Sequence, residues 1–436
     1  MLLQGPLAMQ QPLASVCILQ LQLTGPTFEE LPPHVSTETT LKSLCAVHQR
    51  LEARRQNAAK TGGYGPRVLL AGPTDVGKST AQRTLAGYAA RLGWAPTIVD
   101  TDLGQGDLLV PGCIAASPVN LRCADVTSPT GWAGLTPVSY FPGSASPSEV
   151  DRVWRHHMQQ MAKVVDKRMA GDAASRAAGL FVNTMGWVEK MGFDLLLHAI
   201  KALHIDVVLV LGNEALVTRL KGPKGLRGLK LPPLPKPVPD AAVQSTGGAL
   251  STTGAAAAAG AGAAAGDASH DDDGAPSSLP PKGHDVAIVY CKRSEGVVAR
   301  NSKDRQDARS TRIKQYFYGT GEKQPSSRTI KLEDINIVTV GGAMLHQSVL
   351  PFGAKSVLHP LRVTPVQEDA ELEGLVSKVL AVSYAASETA VPHMNVAGFV
   401  HVQKVNVKRR TITLLCPNSS DFPGTYLVAG KVSWVD

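Results

Sequence analysis

Apolar and polar side chains largely alternate from Cys17 to Leu23, as they do along a half-buried strand. From Thr39 to about Ala59 the period lengthens. Leu41, Leu44, Cys45, His48 and Leu51 recur at helical spacing, with Lys42, Arg50, Arg54 and Arg55 on the other side, which predicts an amphipathic helix. Thr61-Gly62-Gly63-Tyr64-Gly65-Pro66 then breaks the pattern. Beyond it lie short runs that are apolar throughout: Arg67 to Ala71, Thr97 to Val99, Leu180 to Val182, Val207 to Leu211 and Val286 to Tyr290. Helix-period segments separate them, at Lys78 to about Leu92, Glu149 to Met169 and Phe193 to Leu203. Continuously apolar strands alternating with helices predict a mostly parallel sheet covered on both faces.

From Lys221 to Gly283 the composition shifts. A proline-rich piece, Leu231 to Pro239, is followed by an Ala/Gly/Ser/Thr tract from Gln244 to Ala268 and by Asp271-Asp272-Asp273. Such a segment buries too little apolar surface to offset its ordering entropy, so residues 221–283 are expected to be a disordered insertion between two strands. After about Ser326 the runs shorten and alternate: Thr329 to Leu332, Ile335 to Val340, Val396 to Val405, Thr411 to Leu415 and Tyr426 to Val435. These predict a small β-rich C-terminal domain. The expected division is 1–62, an N-terminal β segment with its linking helix; 63–325, a central domain carrying the insertion; and 326–436.

Composition narrows the class. The chain has 436 residues, of which 43% are hydrophobic, enough to bury a core in each of about two or three domains. A formal net charge of +8 favours a polyanionic partner, either a nucleic acid or an acidic protein face. Cys17, Cys45, Cys113, Cys123, Cys291 and Cys416 form no CxxC pair and no zinc spacing, as expected of reduced thiols. No run approaches the length of a membrane span, and Met1 to Val16 lacks the basic and apolar regions of an export signal. An intracellular, soluble protein with no membrane partner is expected.

The chemistry sits in local patterns. Gly72-Pro73-Thr74-Asp75-Val76-Gly77-Lys78-Ser79 fits GxxxxGK[ST] between a predicted strand and a predicted helix, the context a phosphate-binding P-loop requires. Gly72 and Gly77 let the backbone curl so that successive N–H groups face the phosphates, and the helix N-terminus adds its positive dipole end. Lys78 carries a charge to the β- and γ-phosphates, and Ser79 offers a hydroxyl to Mg²⁺. Thr80 can cap the helix or contact the α-phosphate. Asp100-Thr101-Asp102-Leu103-Gly104-Gln105-Gly106 follows the next strand. An acid at the C-terminal end of a neighbouring parallel strand lies beside the phosphates. Asp102 is the candidate for Mg²⁺ contact, or for accepting a proton from an attacking hydroxyl, with Asp100 the second choice. Gln105 is a candidate substrate contact; in a GTPase-like regulator it would orient water. The fold class expected is α/β: a P-loop NTPase with a mostly parallel central sheet, a remnant N-terminal β segment and a small β-rich C-terminal domain.

The P-loop resembles one family more closely when it is taken with VDTDLGQGDLLVPG (Val99 to Gly112), Asn183-Thr184-Met185-Gly186-Trp187-Val188 and GVVARNSKDRQDARSTRIKQYFYG (Gly296 to Gly319). In this order the segments are similar to the Clp polyribonucleotide 5′-hydroxyl kinases, the RNA kinase subunit of the pre-mRNA 3′-end cleavage and polyadenylation machinery. The resemblance runs from about Thr39 to the end, apart from the insertion. It implies ATP, Mg²⁺, transfer of the γ-phosphate to an RNA 5′-hydroxyl, partnership with other subunits of the cleavage complex, and a nuclear location. It implies that Lys78 and Ser79 hold phosphates and metal, that Asp102 is the catalytic acid that activates the hydroxyl, and that Trp187 stacks on the terminal base. It also implies that Arg300 and Arg305 belong to a lid over the phosphates. An aromatic face stacks on a single-stranded end without regard to sequence, and a lid arginine stabilises charge on a transferring phosphoryl. Trp187 also fits a packing role, and Arg300, Lys303, Arg305, Arg309 and Arg312 also form a basic stripe that could steer RNA.

The sequence departs from the family at three places. Of the family's N-terminal β domain only the last part is present, and Glu29 and Glu30 do not replace the acid and aromatic which that domain gives to the adenine pocket. Gly212-Asn213-Glu214 stands where an acid is usual. The third departure is the long insertion. Two functions stay open: an active RNA 5′-hydroxyl kinase, and a non-catalytic ATP-bound scaffold in the same complex. A GTPase-like regulator ranks below both, because no base-reading NKxD motif is present.

Overall fold

The computed structural model describes residues 41–121, 123, 132, 134–229, 231–237, 286–294, 296–319, 324–341 and 359–435. The alternating segment 17–23, Glu29, Glu30 and most of the expected insertion lie outside the described residues. The predicted linking helix is α1 (Leu41–Thr61). Then come β1 (Arg67–Ala71), α2 (Lys78–Arg91) and β2 (Thr97–Asp100). The short strands β3 (Ile114–Pro118) and β4 (Val138–Tyr140) follow. Next are α3 (Asp151–Gly171), α4 (Ala173–Ala178), β5 (Leu180–Asn183), α5 (Met191–Ala202), β6 (Val207–Leu211), α6 (Glu214–Lys221) and β7 (Ala287–Cys291).

The uniform apolarity of β1 has a direct structural reading. Leu69 and Ala71 point into one core with Trp154, Met158 and Met161 of α3 and Leu195, Leu196 and Ala199 of α5. Val68 and Leu70 point into another with Leu44, Val47 and Leu51 of α1 and Ala81, Leu85 and Ala86 of α2. Side chains alternate across a strand, so a strand covered on both faces is apolar at successive positions, here from Val68 to Ala71. Each such fully buried aliphatic or aromatic side chain contributes about 1.5–3 kcal/mol relative to exposure.

The strand order through this region is β4-β3-β2-β5-β1-β6-β7. Strands β2, β5, β1, β6 and β7 run parallel, and β3 and β4 are antiparallel additions. One expectation is corrected here. β2, which carries the acidic loop, is not the neighbour of β1: β5 lies between them. A second correction concerns the insertion. Lys221 ends α6, a 3₁₀ turn follows at Leu226–Gly228, and Leu229 and Leu231 pack against the core cluster to which α3 and α5 contribute. Tyr64 Oη donates to Pro235 O at 2.9 Å, and a His204 ring nitrogen meets Pro232 O at 3.0 Å. The first part of the proline-rich piece is therefore anchored, because Pro costs little entropy to order and these carbonyls have partners.

The C-terminal half contributes α7 (Ser302–Tyr318), β8 (Ser326–Lys331), β9 (Asn336–Val340), β10 (Val363–Pro365), α8 (Asp369–Glu373), β11 (Lys378–Ser383), β12 (Val396–Asn406), β13 (Thr411–Cys416) and β14 (Tyr426–Ser433). It is β-rich as predicted. Its strands continue the central sheet, since Val396 of β12 pairs with Ser139 of β4. α7 buries Ile313 and Phe317 among Val379, Phe399 and Trp434. The helix that carries Arg305, and that Arg300 precedes, is thus rooted in the C-terminal core.

Candidate phosphoryl-transfer site

The segment 72–77 has to turn sharply from the end of β1 into α2. Gly72 has φ 151° and Gly77 φ 88°, and a Cβ on Gly72 would lie 2.5 Å from the carbonyl oxygen of Leu211. Neither position takes another residue without strain. The cradle a phosphate needs is therefore built into the backbone, with the first turn of α2 pointing its free N–H groups the same way. Lys78, the first residue of α2, is 7% exposed, and its Nζ donates to Gly72 O at 3.0 Å and Pro73 O at 2.6 Å. Burial lowers its pKa to about 8, against the pull of Asp102 and Asp75.

Asn183, at the end of the interposed strand β5, joins the two loops. Its Nδ2 lies 3.3 Å from both Ser79 Oγ and Asp100 Oδ1. Asp100 is buried, and its carboxylate accepts the amides of Asp102, at 3.1 Å, and of Asp107. Burial, then the charges of Asp107 and Asp102, raises its pKa to about 7, the two amides opposing. Asp102 is half-buried. Its Oδ1 accepts from Gly104 N at 2.9 Å and Gln105 N at 3.0 Å. Desolvation raises its pKa, with Lys78 and the two amides opposing. Asp100 thus shapes the loop and Asp102 faces the cleft.

Arg300 and Arg305 meet this loop pair. Arg300 Nε lies 2.9 Å from Asp75 Oδ1, and Arg305 NH2 lies 2.8 Å from Asp75 Oδ2. Partial burial opposes the Asp75 charge, but the hydrogen bonds from Arg305 and Arg300 outweigh it and hold the carboxyl at about 2. Gln105 does not stand alone in the cleft as a substrate ligand. Its Nε2 donates to Arg305 O at 3.2 Å, and its Oε1 accepts from Arg300 NH1 at 3.2 Å. Arg312, further along α7, approaches Asp107 at 3.7 Å, and Arg83 reaches the same carboxylate at 2.7 Å.

Trp187 follows Gly186 on the loop after β5. A Cβ on Gly186 would meet Thr74 Cγ2 at 2.4 Å, so this loop lies directly on the P-loop. The indole is partly exposed and lines the same cleft of about 1050 Å³ as Lys78, Ser79, Asp102, Gln105, Arg300 and Arg305. Thr80 is exposed at its wall. Leu44, Leu211, Val297 and Val298 supply apolar wall. Asn213 caps α6 by accepting from Leu216 N at 2.8 Å, which accounts for that residue after β6 in local terms. Among the described residues no cluster of three His, Cys, Asp or Glu side chains forms a metal cage. The acids and the Ser79 hydroxyl are a sparse oxygen set, which fits an ion that keeps much of its water and shares substrate phosphates, as Mg²⁺ does.

Asn183 and the lid contacts of Asp75 and Gln105 carry no sequence signal. They depend on which strand lies between β1 and β2 and on where α7 lands. Segment by segment, the chain matches known proteins. Residues 72–246 match the family described as mRNA cleavage and polyadenylation factor CLP1 P-loop. Residues 324–436 match the family described as pre-mRNA cleavage complex II protein Clp1. The Protein CLP1 homolog of Arabidopsis thaliana is 35% identical over 411 residues, covering 92% of this chain and 79% of that protein. The polyribonucleotide 5′-hydroxyl-kinase Clp1 of Homo sapiens is 30% identical over 405 residues, covering 92% and 80%. In fold, the Clp1p chain of a solved Clp1p–Pcf11p complex matches with a TM-score of 0.67 at 20% identity, over 93% of this chain and 84% of that chain. With a P-loop, an acidic loop and two arginines meeting at one cleft, and relatives at this identity over most of both lengths, the chain belongs to the Clp1 family.

Proposed function

We propose that this protein is an ATP-dependent polyribonucleotide 5′-hydroxyl kinase. The observation that carries the reading is the convergence of Lys78, Asp102, Trp187, Arg300 and Arg305 on a single cleft. Phosphoryl transfer needs positioned charge more than covalent chemistry. The P-loop amides and Lys78 hold the phosphates of ATP. Arg300 and Arg305 bring positive charge to the transferring phosphoryl, and Trp187 offers a face to the terminal base of the RNA. Asp102 uses Oδ1 for the amides of its own loop, which leaves Oδ2 for the proton of the attacking 5′-hydroxyl. Its burial raises its basicity for that role. Ser79 is the residue that would hold Mg²⁺, which when bound neutralises charge on the phosphate oxygens.

Kinship with proteins named for pre-mRNA cleavage supports a place in that machinery beside other subunits, and with it a nuclear location. The test is Asp102→Asn. That variant is expected to keep ATP binding and RNA binding while transfer to a 5′-hydroxyl oligoribonucleotide falls by at least about 10²-fold. Undiminished transfer would remove Asp102 from the reaction. Absence of transfer from the parent protein, with ATP binding intact, would favour the non-catalytic scaffold.

A further inference from the structure

Resting on the reading above, we propose that Asp75 is a positioning residue that holds the two lid arginines toward the phosphate site. Asp75 lies within the P-loop in the left-handed region, with φ 54°. That conformation is uncommon for a residue with a side chain, and Asn and Asp tolerate it best. Both of its oxygens are engaged. Oδ1 accepts from Arg300 Nε, and Oδ2 accepts from the Arg300 amide at 3.1 Å and from Arg305 NH2. The carboxylate is 6% exposed, although Arg300 is 44% and Arg305 33% exposed. This is not an ordinary surface ion pair between mobile groups, because the acid is fixed by a loop with no freedom to turn.

The carboxylate holds only part of each guanidinium. Arg305 Nε is buried without an acceptor, on a side chain that lines the cleft. An oxygen of a transferring phosphoryl is the kind of group that would satisfy it. Asp75 also screens two like charges from each other, which lets both arginines sit over one small target. The lid is attached differently at its two ends. Toward Phe317 it is held by apolar burial and by Trp434 Nε1 donating to Ser310 Oγ at 3.1 Å. Toward Arg300 it is held by Asp75 and Gln105.

The test compares the full chain with Asp75→Asn and Asp75→Ala. Asn keeps the side-chain size and the backbone preference while removing the charge. Amide hydrogen exchange is expected to accelerate at residues 296–306 by about tenfold or more, with 313–318 unchanged and the thermal midpoint preserved. In transfer assays kcat is expected to fall at least about tenfold, with the KM for ATP changing less. Equal acceleration across 296–318, or unchanged exchange at 296–306, would overturn the proposal. So would a variant with parental kcat. If the parent protein itself transfers no phosphate, the exchange pattern still decides the positioning role, so failure of the kinase reading and failure of this one are told apart.

Discussion

Trp187 illustrates how one side chain links local geometry to affinity. Gly186 lets its loop lie on Thr74, and the indole then borders the phosphate cleft. Replacing it with Ala is expected to weaken binding of a single-stranded 5′-hydroxyl RNA by about 1–3 kcal/mol. Fluorescence anisotropy of a labelled oligoribonucleotide would read this, and unchanged affinity would leave Trp187 a packing residue. The P-loop residues were legible in the sequence because their roles are set by spacing within a few positions. Asn183 has no such local signal of its own. Its bridging role exists because β5 is interposed between β1 and β2, and no local spacing encodes strand order. In the sequence Asp75 is indistinguishable from any other loop residue, since its arginine partners lie over two hundred positions away.

Among elements, β1 and α3 are joined by a buried ion pair. Arg67 is 1% exposed, its NH2 lies 2.6 Å from Asp166 Oδ1, and its Nε donates to Leu203 O at 2.7 Å. Arg67→Ala leaves the Asp166 carboxylate to His204, whose Nε2 lies 3.2 Å away, and should cost about 3–5 kcal/mol, measured by denaturant unfolding. A cost below about 1 kcal/mol would mean that water reaches the carboxylate. Two helices carry buried neutral imidazoles. Burial lowers the pKa of His48 in α1 to about 4 and that of His157 in α3 to about 3, from 6.5. The unfolded chain binds more protons than the folded one between those values and 6.5. Stability is therefore complete above about pH 6.5 and declines as pH falls toward 3–4, by on the order of 3 kcal/mol per histidine. Unfolding at pH 7 and pH 5 should show the decline, and replacing both with Gln should flatten it; a parental slope in the double variant would contradict the assignment. The buried parallel strands were legible as unbroken apolar runs. β3 and β4 were not, because Ala, Ser and Pro dominate segments of only a few residues. β11 (KVLAVS) lacks the alternation that marks its neighbours, although it is buried along most of its length.

Across the molecule, sheet continuity through β4 and β12 brings the C-terminal core to the catalytic side. α7 is the junction. Phe317 stacks on Trp434 at 5.9 Å between ring centroids, and Phe399 N donates to Tyr316 Oη at 2.9 Å. Trp434→Ala is expected to destabilise the protein by about 3–5 kcal/mol and to raise exchange along 310–318. Protection unchanged at those residues would show that the lid is held from elsewhere. An α/β fold with a β-rich C-terminal part was readable from periodicity. The rooting of α7 in that C-terminal part was not, because it depends on contacts between residues 83 and 124 positions apart.

Transfer of the γ-phosphate of ATP to an RNA 5′-end is read out with labelled ATP and a short 5′-hydroxyl oligoribonucleotide. Labelled RNA is expected from the parent protein, with a loss of several orders of magnitude in Lys78→Ala, since Lys78 supplies charge at the transferring group. Equal labelling by the two proteins, or none from a parent that binds both ATP and RNA, would contradict it.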